Sequence, residues 1–335
     1  MTVAVALLAY AAGAGVLGHR LLARARWTGR APRLAIFTYL AAAWSVVAAA
    51  GLAGLTLAVH GTALGSALSQ LIGACVIRLR DTYATPGGVT VAGFGLALAA
   101  AVAACAAIGA TAHLRAVRRQ ARRHAEAVRL LGRPEPGLDA VLVEHAQPAA
   151  YCVAGPHPTV VVTTAARQAL DDGQLAAVLA HERAHLTWRH HRLVALALIA
   201  ERLLPFLPLM RETAGQVARL VELHADDTAT AAHDARTLAT ALVLLAERGA
   251  RDPSPAVTGL ATPELAAPRS ATAGLGAMGA DALQRVQRLL RPAEPLGRLR
   301  RQLLRAGAAG LALTPPLLAL TPAMVALVLG RVPVA

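Results

Sequence analysis

The 335-residue sequence contains no lysine, so arginine carries its positive charge at neutral pH, and the formal net charge is +14. Aromatic residues make up only 3% and charged residues 16%, while the mean hydropathy is +0.50. So few charges at this hydropathy argue against an ordinary soluble protein. The three cysteines, Cys75, Cys105 and Cys152, are far apart and form no CxxC pair, which argues against a disulfide framework and a thiolate metal site. Because arginine and alanine are both in excess, we attribute the missing lysine to genome base composition.

The apolar residues are gathered in long uncharged runs at 2–18, 34–59, 88–112 and 306–330. Each run approaches or exceeds the roughly 20 residues that a membrane-spanning helix needs. A cleavable signal peptide is the alternative for the first run, but such a peptide begins with positive charge and none precedes Arg20. We therefore predict a mainly α-helical membrane protein with four transmembrane helices, the first of them a retained anchor.

Arginines cluster beside three of these runs, and their positions predict the topology. The clusters are Arg20, Arg24, Arg26, Arg30 and Arg33; Arg115, Arg118, Arg119, Arg122 and Arg123; and Arg298, Arg300, Arg301 and Arg305. If the N-terminus lies outside the cell, all three clusters face the cytoplasm, as the positive-inside rule requires. This predicts a membrane region at 1–113, a cytoplasmic domain at 114–305, and a last span with a short external tail at 306–335.

The stripe RAVRRQARRHAEAVR (115–129) has two interpretations. It resembles a nucleic-acid-binding surface, but its place directly after a predicted span is more typical of a segment that contacts anionic lipid head groups. We expect a membrane-lipid contact and no direct nucleic-acid binding.

One stretch, LAAVLAHERAHLTWRHH (175–191), concentrates ionisable groups on an apolar-patterned helix whose start Asp171 and Asp172 can cap. His181 and His185 stand one turn apart, with Glu182 beside them. HExxH on a helix offers two imidazole nitrogens to zinc and places a carboxylate where it can act as a general base. The alternative is a solvated polar face with two chance histidines, so the decision rests on a third ligand.

Two residues compete for that position. His191 matches the last histidine of the elongated HExxHxxGxxH pattern, but Trp188 stands where that pattern needs glycine. Along a continuous helix His191 would lie roughly 9 Å beyond His185 and about 120° round the axis. We therefore expect His190 and His191 to face the surface or the membrane.

The better candidate lies in RLVELHADDTA (219–229), where Glu222 and Asp226 form an i,i+4 pair on another apolar-patterned helix. Glu222 would complete a His2Glu zinc site, and Asp226 would accept the free ring N–H of a ligating histidine. An exposed acidic helix face is the alternative for this pair.

Short β-branched runs at 138–145, 149–155 and 157–166 predict a small antiparallel sheet. The last run leads into the HExxH helix, and we expect it to be an exposed strand that holds the substrate as an added strand. The residues predicted to bind substrate are Thr159, Val160, Val161, Val162, Thr163 and Thr164.

The apolar segment at 193–210 is not counted as a span, because a crossing there would separate His181 from Glu222 and would bury Glu201 and Arg202 in lipid. It belongs to the membrane surface or to the core of the domain. The Pro-, Ala- and Ser-rich residues 250–275 are predicted to form a flexible loop, and 281–292 a helix.

HERAH followed by ELHAD, with VVVTTAARQALDDGQLAAVLA before and RVQRLLRP after, resembles the BlaR/MecR-type membrane zinc metallopeptidases, with the HtpX-like heat-shock proteases as close relatives. The resemblance covers nearly the whole chain, because that family also places its cytoplasmic α+β gluzincin domain between its third and fourth spans. It implies a zinc-dependent endopeptidase with zinc ligands His181, His185 and Glu222, catalytic base Glu182 and supporting carboxylate Asp226. It further implies a protein substrate, namely a DNA-binding repressor of the BlaI type. Antibiotic-sensing members carry a penicillin-binding sensor after the fourth span, and we expect none here.

Two other functions stay open: an HtpX-like membrane quality-control protease, and a non-catalytic scaffold or receptor, against which Glu182 argues. The residue that stabilises the oxyanion is also open, with Tyr151, His224, Arg219 and His233 as candidates. Self-cleavage is predicted within 250–275 or near 298–301. The oligomeric state is not predicted.

Overall fold

The structure is a computed structural model that describes residues 2–59, 88–135, 137–154, 157–251 and 276–328. In chain order the elements are α1 (Thr2–Ala23), α2 (Pro32–Val59), α3 (Gly88–Leu131), β1 (Gly132–Glu135), β2 (Ala140–Val143), β3 (Ala150–Val153), β4 (Thr159–Thr163), α4 (Thr164–Ala169), α5 (Asp172–Thr187), α6 (His190–Leu203), α7 (Pro208–Ala229), α8 (Ala235–Arg251), α9 (Gly276–Leu290) and α10 (Arg298–Val328). Residues 60–87, most of the segment 250–275 that is predicted to be a loop, and residues 329–335 lie outside the described residues.

Within the described ranges, three helices are long and apolar enough to cross a membrane: Thr2–Ala23, Pro32–Leu57 and Arg298–Thr321. They coincide with the first, second and fourth predicted spans and indicate a membrane protein. The span predicted at 88–112 lies in the first part of α3, where only the shorter stretch Ala100–Gly109 is recognised as apolar. Four spans therefore stay a prediction.

The sheet is small and mixed, with strand order β1-β2-β4-β3. β1 pairs antiparallel with β2, and β3 antiparallel with β4, but β2 and β4 are parallel. The prediction of an antiparallel sheet is therefore wrong for the central pair, because β4 inserts between β2 and β3 instead of adding outside them. β1 was not predicted, since its Pro134 suggested a break; proline is tolerated there because β1 is an edge strand.

Two of the apolar cores among the described residues position the helices that follow the sheet. One fills the space between the sheet and α5, α8 and α9, with Val160, Val162, Leu175, Val178, Leu238 and Leu289. The other joins α6 and α7 to the first half of α2, with Ile36, Tyr39, Val194, Leu198, Val217 and Leu220. Residues 193–203 of the apolar segment thus lie in α6 and contribute to this core. They are not among the candidate membrane spans, as predicted.

Candidate metal centre

α5 supplies the paired histidines, and its start is fixed by a capping box. The Asp171 side chain accepts the N–H of Gln174, and the Gln174 side chain accepts the N–H of Asp171. The cap predicted at Asp171 is therefore confirmed. α5 packs against α7, so the histidine face of one helix meets the Glu222 and Asp226 face of the other.

The three predicted ligands lie together. Nε2 of His181 is 3.2 Å from Nε2 of His185, and the two carboxylate oxygens of Glu222 are each 3.5 Å from one of these nitrogens. Zinc binds nitrogen and oxygen at about 2.0–2.2 Å, and two such ligands at a tetrahedral angle stand about 3.4 Å apart. The triangle of donor atoms therefore fits one zinc ion. Both histidines are buried, whereas the side chain of Glu222 is 36% exposed, so the site opens to solvent on the Glu222 side.

Glu182, the predicted base, lies beside the edge strand β3. The backbone N–H and the thiol of Cys152 lie close to its carboxylate. Burial raises the pKa of Glu182 to about 7, against the lowering effect of a positive charge at His181. Burial and the neighbouring Glu182 also raise the pKa of the Cys152 thiol, which stays protonated and can donate. The carboxyl group is thus poised to exchange a proton near neutral pH.

Asp226 is fully buried behind His181. Its Oδ1 lies 3.0 Å from Nδ1 of His181, within hydrogen-bonding distance although the ring N–H is not well aligned. Arg285 of α9 donates two hydrogen bonds to this carboxylate, from Nη2 to Oδ1 at 2.7 Å and from Nε to Oδ2 at 2.9 Å. Arg285 also reaches Glu222, with Nη1 3.1 Å from Oε2. One arginine therefore contacts both Glu222, a predicted ligand, and the Asp226 carboxylate behind His181.

Arg285 has no role among the predictions from the sequence. It is the first residue of the quoted RVQRLLRP segment, but it stands 59 residues from Asp226 and 104 from His181. No local signal singles it out, because the same helix also carries Arg288. The opposed carboxylates raise the pKa of Arg285 even though its burial acts in the other direction, so it keeps its charge.

The charges of the site are matched to a divalent cation. Glu182, Glu222 and Asp226 against Arg285 leave two negative charges in excess when the histidines are neutral, and Zn²⁺ would balance both. Without a metal, burial lowers the pKa of His181, but its hydrogen bonds to Asp226 and Glu222 outweigh this and raise it to about 9. Burial lowers the pKa of His185 to about 4. Burial acts to raise the pKa of Glu222, but His181 and His185 hold it well below its usual range.

The prediction that His190 faces the surface or membrane is wrong. α5 ends at Thr187 and the chain turns through Arg189, whose φ of 51° is left-handed, so that α6 starts at His190. In a continuous helix His190 would point about 140° away from His185. The turn brings it back instead, fully buried, with its Nδ1 3.0 Å from Nδ1 of His185. His191 is half-buried.

The strand predicted to bind substrate does not offer a free edge. Thr159, Val160, Val161, Val162 and Thr163 form β4, which pairs with β2 on one side and β3 on the other; Thr164 starts α4. An added strand needs an unpaired edge, and in the order β1-β2-β4-β3 the edge strands are β1 and β3, of which β3 lies beside Glu182. The run of β-branched residues predicted β4 as a strand but carried no information on its neighbours.

Two of the four candidates for oxyanion stabilisation are engaged elsewhere. Arg219 donates to Gln284 at 3.2 Å, and Nδ1 of His224 lies 2.9 Å from Nε2 of His190. Tyr151 lies on β3 and His233 follows α7, and for these the role stays a prediction.

A His-His-Glu cluster whose donor atoms fit a metal ion, with a carboxyl group beside it, has the composition of a metallohydrolase site. Residues 113–248 match the sequence model of peptidase family M48, whose members are zinc-dependent peptidases. The matched segment contains His181, Glu182, His185, Glu222 and Asp226, and the match supports a metallopeptidase function for this part of the chain. The resemblance to membrane zinc metallopeptidases is thereby confirmed. The match ends before α9 and Arg285. No match was found among curated proteins or among solved structures.

Proposed function

We propose that this protein is a membrane-embedded zinc-dependent endopeptidase that cleaves a protein at the cytoplasmic side of the membrane. The observation that carries the proposal is the triangle of His181, His185 and Glu222 with Glu182 beside it, inside a segment that matches M48 peptidases. Zinc, when bound, supplies a Lewis acid that polarises the scissile carbonyl and makes water nucleophilic near neutral pH.

The residues around the triangle have distinct roles. Glu182 takes a proton from the attacking water and passes it to the leaving amine. The backbone N–H of Cys152 lies close to that carboxylate and favours its charged form. Asp226 and Arg285 orient His181 and Glu222, because they contact both side chains from behind.

We infer that the substrate docks as an added strand on β3. Thr163 donates its N–H to the carbonyl of Ala149, so this carbonyl faces β4. Since backbone groups of alternate residues in an antiparallel strand face the same side, those of Ala150 and Cys152 face away from β4. They point to the open edge next to Glu182, where an extended peptide would run past the metal site.

A cytoplasmic site is supported by the turn between α1 and α2. The carbonyl of Gly29 accepts a hydrogen bond from Arg288 of α9 at 3.1 Å, and Arg33 stacks over the Trp188 ring at 4.2 Å. The metal centre and the first arginine cluster therefore share one side of the membrane, and the positive-inside rule assigns that side to the cytoplasm. In this topology both chain termini lie outside, with the peptidase domain at 114–305.

The family resemblance points to a BlaI-type transcriptional repressor as the substrate, in a signalling pathway. The second candidate is an HtpX-like quality-control protease. It is favoured by the core that α6 and α7 share with α2, since a catalytic domain packed on a membrane helix is well placed for substrates that emerge from the lipid.

The test uses the full chain purified in detergent, with zinc content measured by metal analysis and cleavage measured on a purified BlaI-type repressor and on an unfolded membrane protein. We expect one zinc per chain and cleavage that disappears in Glu182→Gln. Cleavage of the repressor alone supports the first candidate, and unselective cleavage of the unfolded protein supports the second. A wild-type protein that binds no zinc, or a Glu182→Gln variant that cleaves normally, would contradict the proposal.

A further inference from the structure

A row of three imidazoles leads away from the metal centre. Nδ1 of His185 contacts Nδ1 of His190 at 3.0 Å, and Nε2 of His190 contacts Nδ1 of His224 at 2.9 Å. His190 is completely buried, and neighbouring rings meet at centroid distances of 4.8 and 5.2 Å. The two predicted zinc-binding histidines thus contact different groups through Nδ1. His181 contacts the carboxylate of Asp226, and His185 contacts the ring of His190.

The metal role of His185 fixes the direction of every hydrogen bond in this row. The nitrogen that faces the other ligands is Nε2, which needs its lone pair to bind a cation, so the ring proton sits on Nδ1. Nδ1 of His185 then donates to Nδ1 of His190. With that nitrogen occupied as an acceptor, His190 carries its proton on Nε2 and donates it to Nδ1 of His224.

The far end of the row is held by the membrane-proximal part of the chain. His224 makes an edge contact with Trp188, with ring centroids 5.2 Å apart, and Arg33 at the start of α2 lies 4.2 Å over the same tryptophan. Trp188 stands next to Arg189, whose left-handed conformation places His190. The packing that ends α5 therefore also sets the position of the acceptor for His185.

We propose that His190 is a positioning residue for the metal centre, which fixes the tautomer and the ring orientation of His185, with His224 as the anchor that fixes the tautomer of His190. This inference rests on the proposed function, because it assumes that His185 binds a metal. His190 accepts the ring N–H of His185, a role that a carboxylate or carbonyl oxygen commonly has next to a metal-binding histidine. Because His190 is neutral, it adds no negative charge behind His185, whereas Asp226 places a negative charge behind His181.

The test compares four full-length variants in detergent by Zn²⁺ affinity from chelator competition and by the visible absorption of bound Co²⁺. His190→Leu removes the acceptor, and we expect it to weaken zinc binding by roughly 10- to 100-fold and to alter the Co²⁺ spectrum. His190→Asn keeps an amide oxygen near the position of Nδ1, and we expect it to restore most of the affinity. His224→Leu should weaken binding in the same direction but less. The matched control is His191→Leu, on the same helix, which should bind zinc as the wild type does.

Three results would overturn the proposal: wild-type affinity in His190→Leu, equal losses in His190→Asn and His190→Leu, or an equal loss in the His191→Leu control. Thermal melting of each metal-free variant identifies a failure to fold. If His190→Leu does not fold, the test uses His190→Asn and His224→Leu. The inference is then wrong if His224→Leu binds zinc with wild-type affinity and His190→Asn loses most of its zinc affinity. Failure of the proposed function looks different, because then the wild-type chain itself binds no zinc.

Discussion

Arg285 binds both carboxylate oxygens of Asp226, with Nη2 2.7 Å from Oδ1 and Nε 2.9 Å from Oδ2. The Asp226 side chain is fully buried and that of Arg285 is 16% exposed, so neither charge is well solvated. A buried pair of this kind adds little net stability over an apolar pair, but the loss of one partner is costly because it leaves an uncompensated charge. The pair also stands directly behind the ligand His181.

Arg285→Gln should therefore destabilise the protein by about 3–5 kcal/mol. The stability of Arg285→Lys should lie between those of the wild type and Arg285→Gln, because a lysine keeps the charge but cannot bind both oxygens. Unfolding of the metal-free protein in detergent measures the effect. The matched control is Arg288→Gln, one turn further along α9, whose partner Asp227 has a 41% exposed side chain and which also donates to the Gly29 carbonyl. A partly exposed pair and one hydrogen bond together contribute about 1–2 kcal/mol. Equal losses in the two variants would mean that burial of the pair does not matter.

Glu182→Gln should lower the rate of peptide cleavage by roughly 10²- to 10⁴-fold, because an amide cannot accept the proton of the attacking water. Zinc content should stay at the wild-type level, since Glu182 is not among the His181, His185 and Glu222 donors. Cleavage rate and metal content measured on the same preparation separate the two effects. Fragments produced by the wild type but not by this variant would also confirm the predicted self-cleavage; identical fragments in both would rule it out.

Zinc binding should depend on pH through His181. Its pKa of about 9 in the metal-free protein means that the ring is protonated at neutral pH, and a metal must displace that proton. The apparent affinity should therefore rise about tenfold per pH unit as the pH increases towards 9 and level off above it. Chelator competition across this range measures the slope.

Asp226→Asn provides the control for this dependence. The Asp226 carboxylate is the first of the groups that raise the pKa of His181, so its removal should lower that pKa and move the levelling-off point to lower pH. An unchanged pH profile in Asp226→Asn would assign the proton to another group.

The parts of the site that the sequence predicted correctly are those encoded by local spacing. His181 with His185, and Glu222 with Asp226, share a helix face because four residues make about one turn, and both helices formed as expected. That the two pairs meet was inferred from chemistry, since a His2Glu site needs a carboxylate, and the structure brings them together.

The parts that were missed depend on chain direction and on distant neighbours. His190 was misplaced because a helix was extended through Arg189, whose left-handed backbone has no reliable sequence signal in a residue other than glycine. β4 was predicted to be an exposed strand because a β-branched run identifies a strand but not its place in the sheet order. Arg285 escaped notice because its partners lie at least 59 residues away.

Docking of substrate on β3 predicts a selective effect of proline at Ala150. Its N–H faces the open edge, so Ala150→Pro removes a donor to the substrate and leaves the β3–β4 hydrogen bonds in place. We expect a higher KM with kcat less affected, measured on a peptide substrate with the variant fully loaded with zinc. Tyr151→Pro is the comparison. It removes an N–H that faces β4, so it should lower the melting temperature, which Ala150→Pro should leave nearly unchanged. A normal KM in Ala150→Pro would place the substrate elsewhere.

The core shared by α2, α6 and α7 predicts that the metal-binding part of the chain depends on a membrane helix for its stability. Ile36 is 1% exposed in that core, whereas the adjacent Phe37 is 49% exposed on the outer side of α2. Ile36→Ala should destabilise the protein by about 2–5 kcal/mol, the range for deleting a buried aliphatic side chain. It should also weaken zinc binding, because Ile36 packs in one cluster with Leu220 and Val221, which directly precede Glu222. Phe37→Ala should change neither quantity appreciably. Thermal melting in detergent and zinc titration of both variants test this, and a stable Ile36→Ala protein with normal zinc affinity would show that α7 holds its ligand without support from α2.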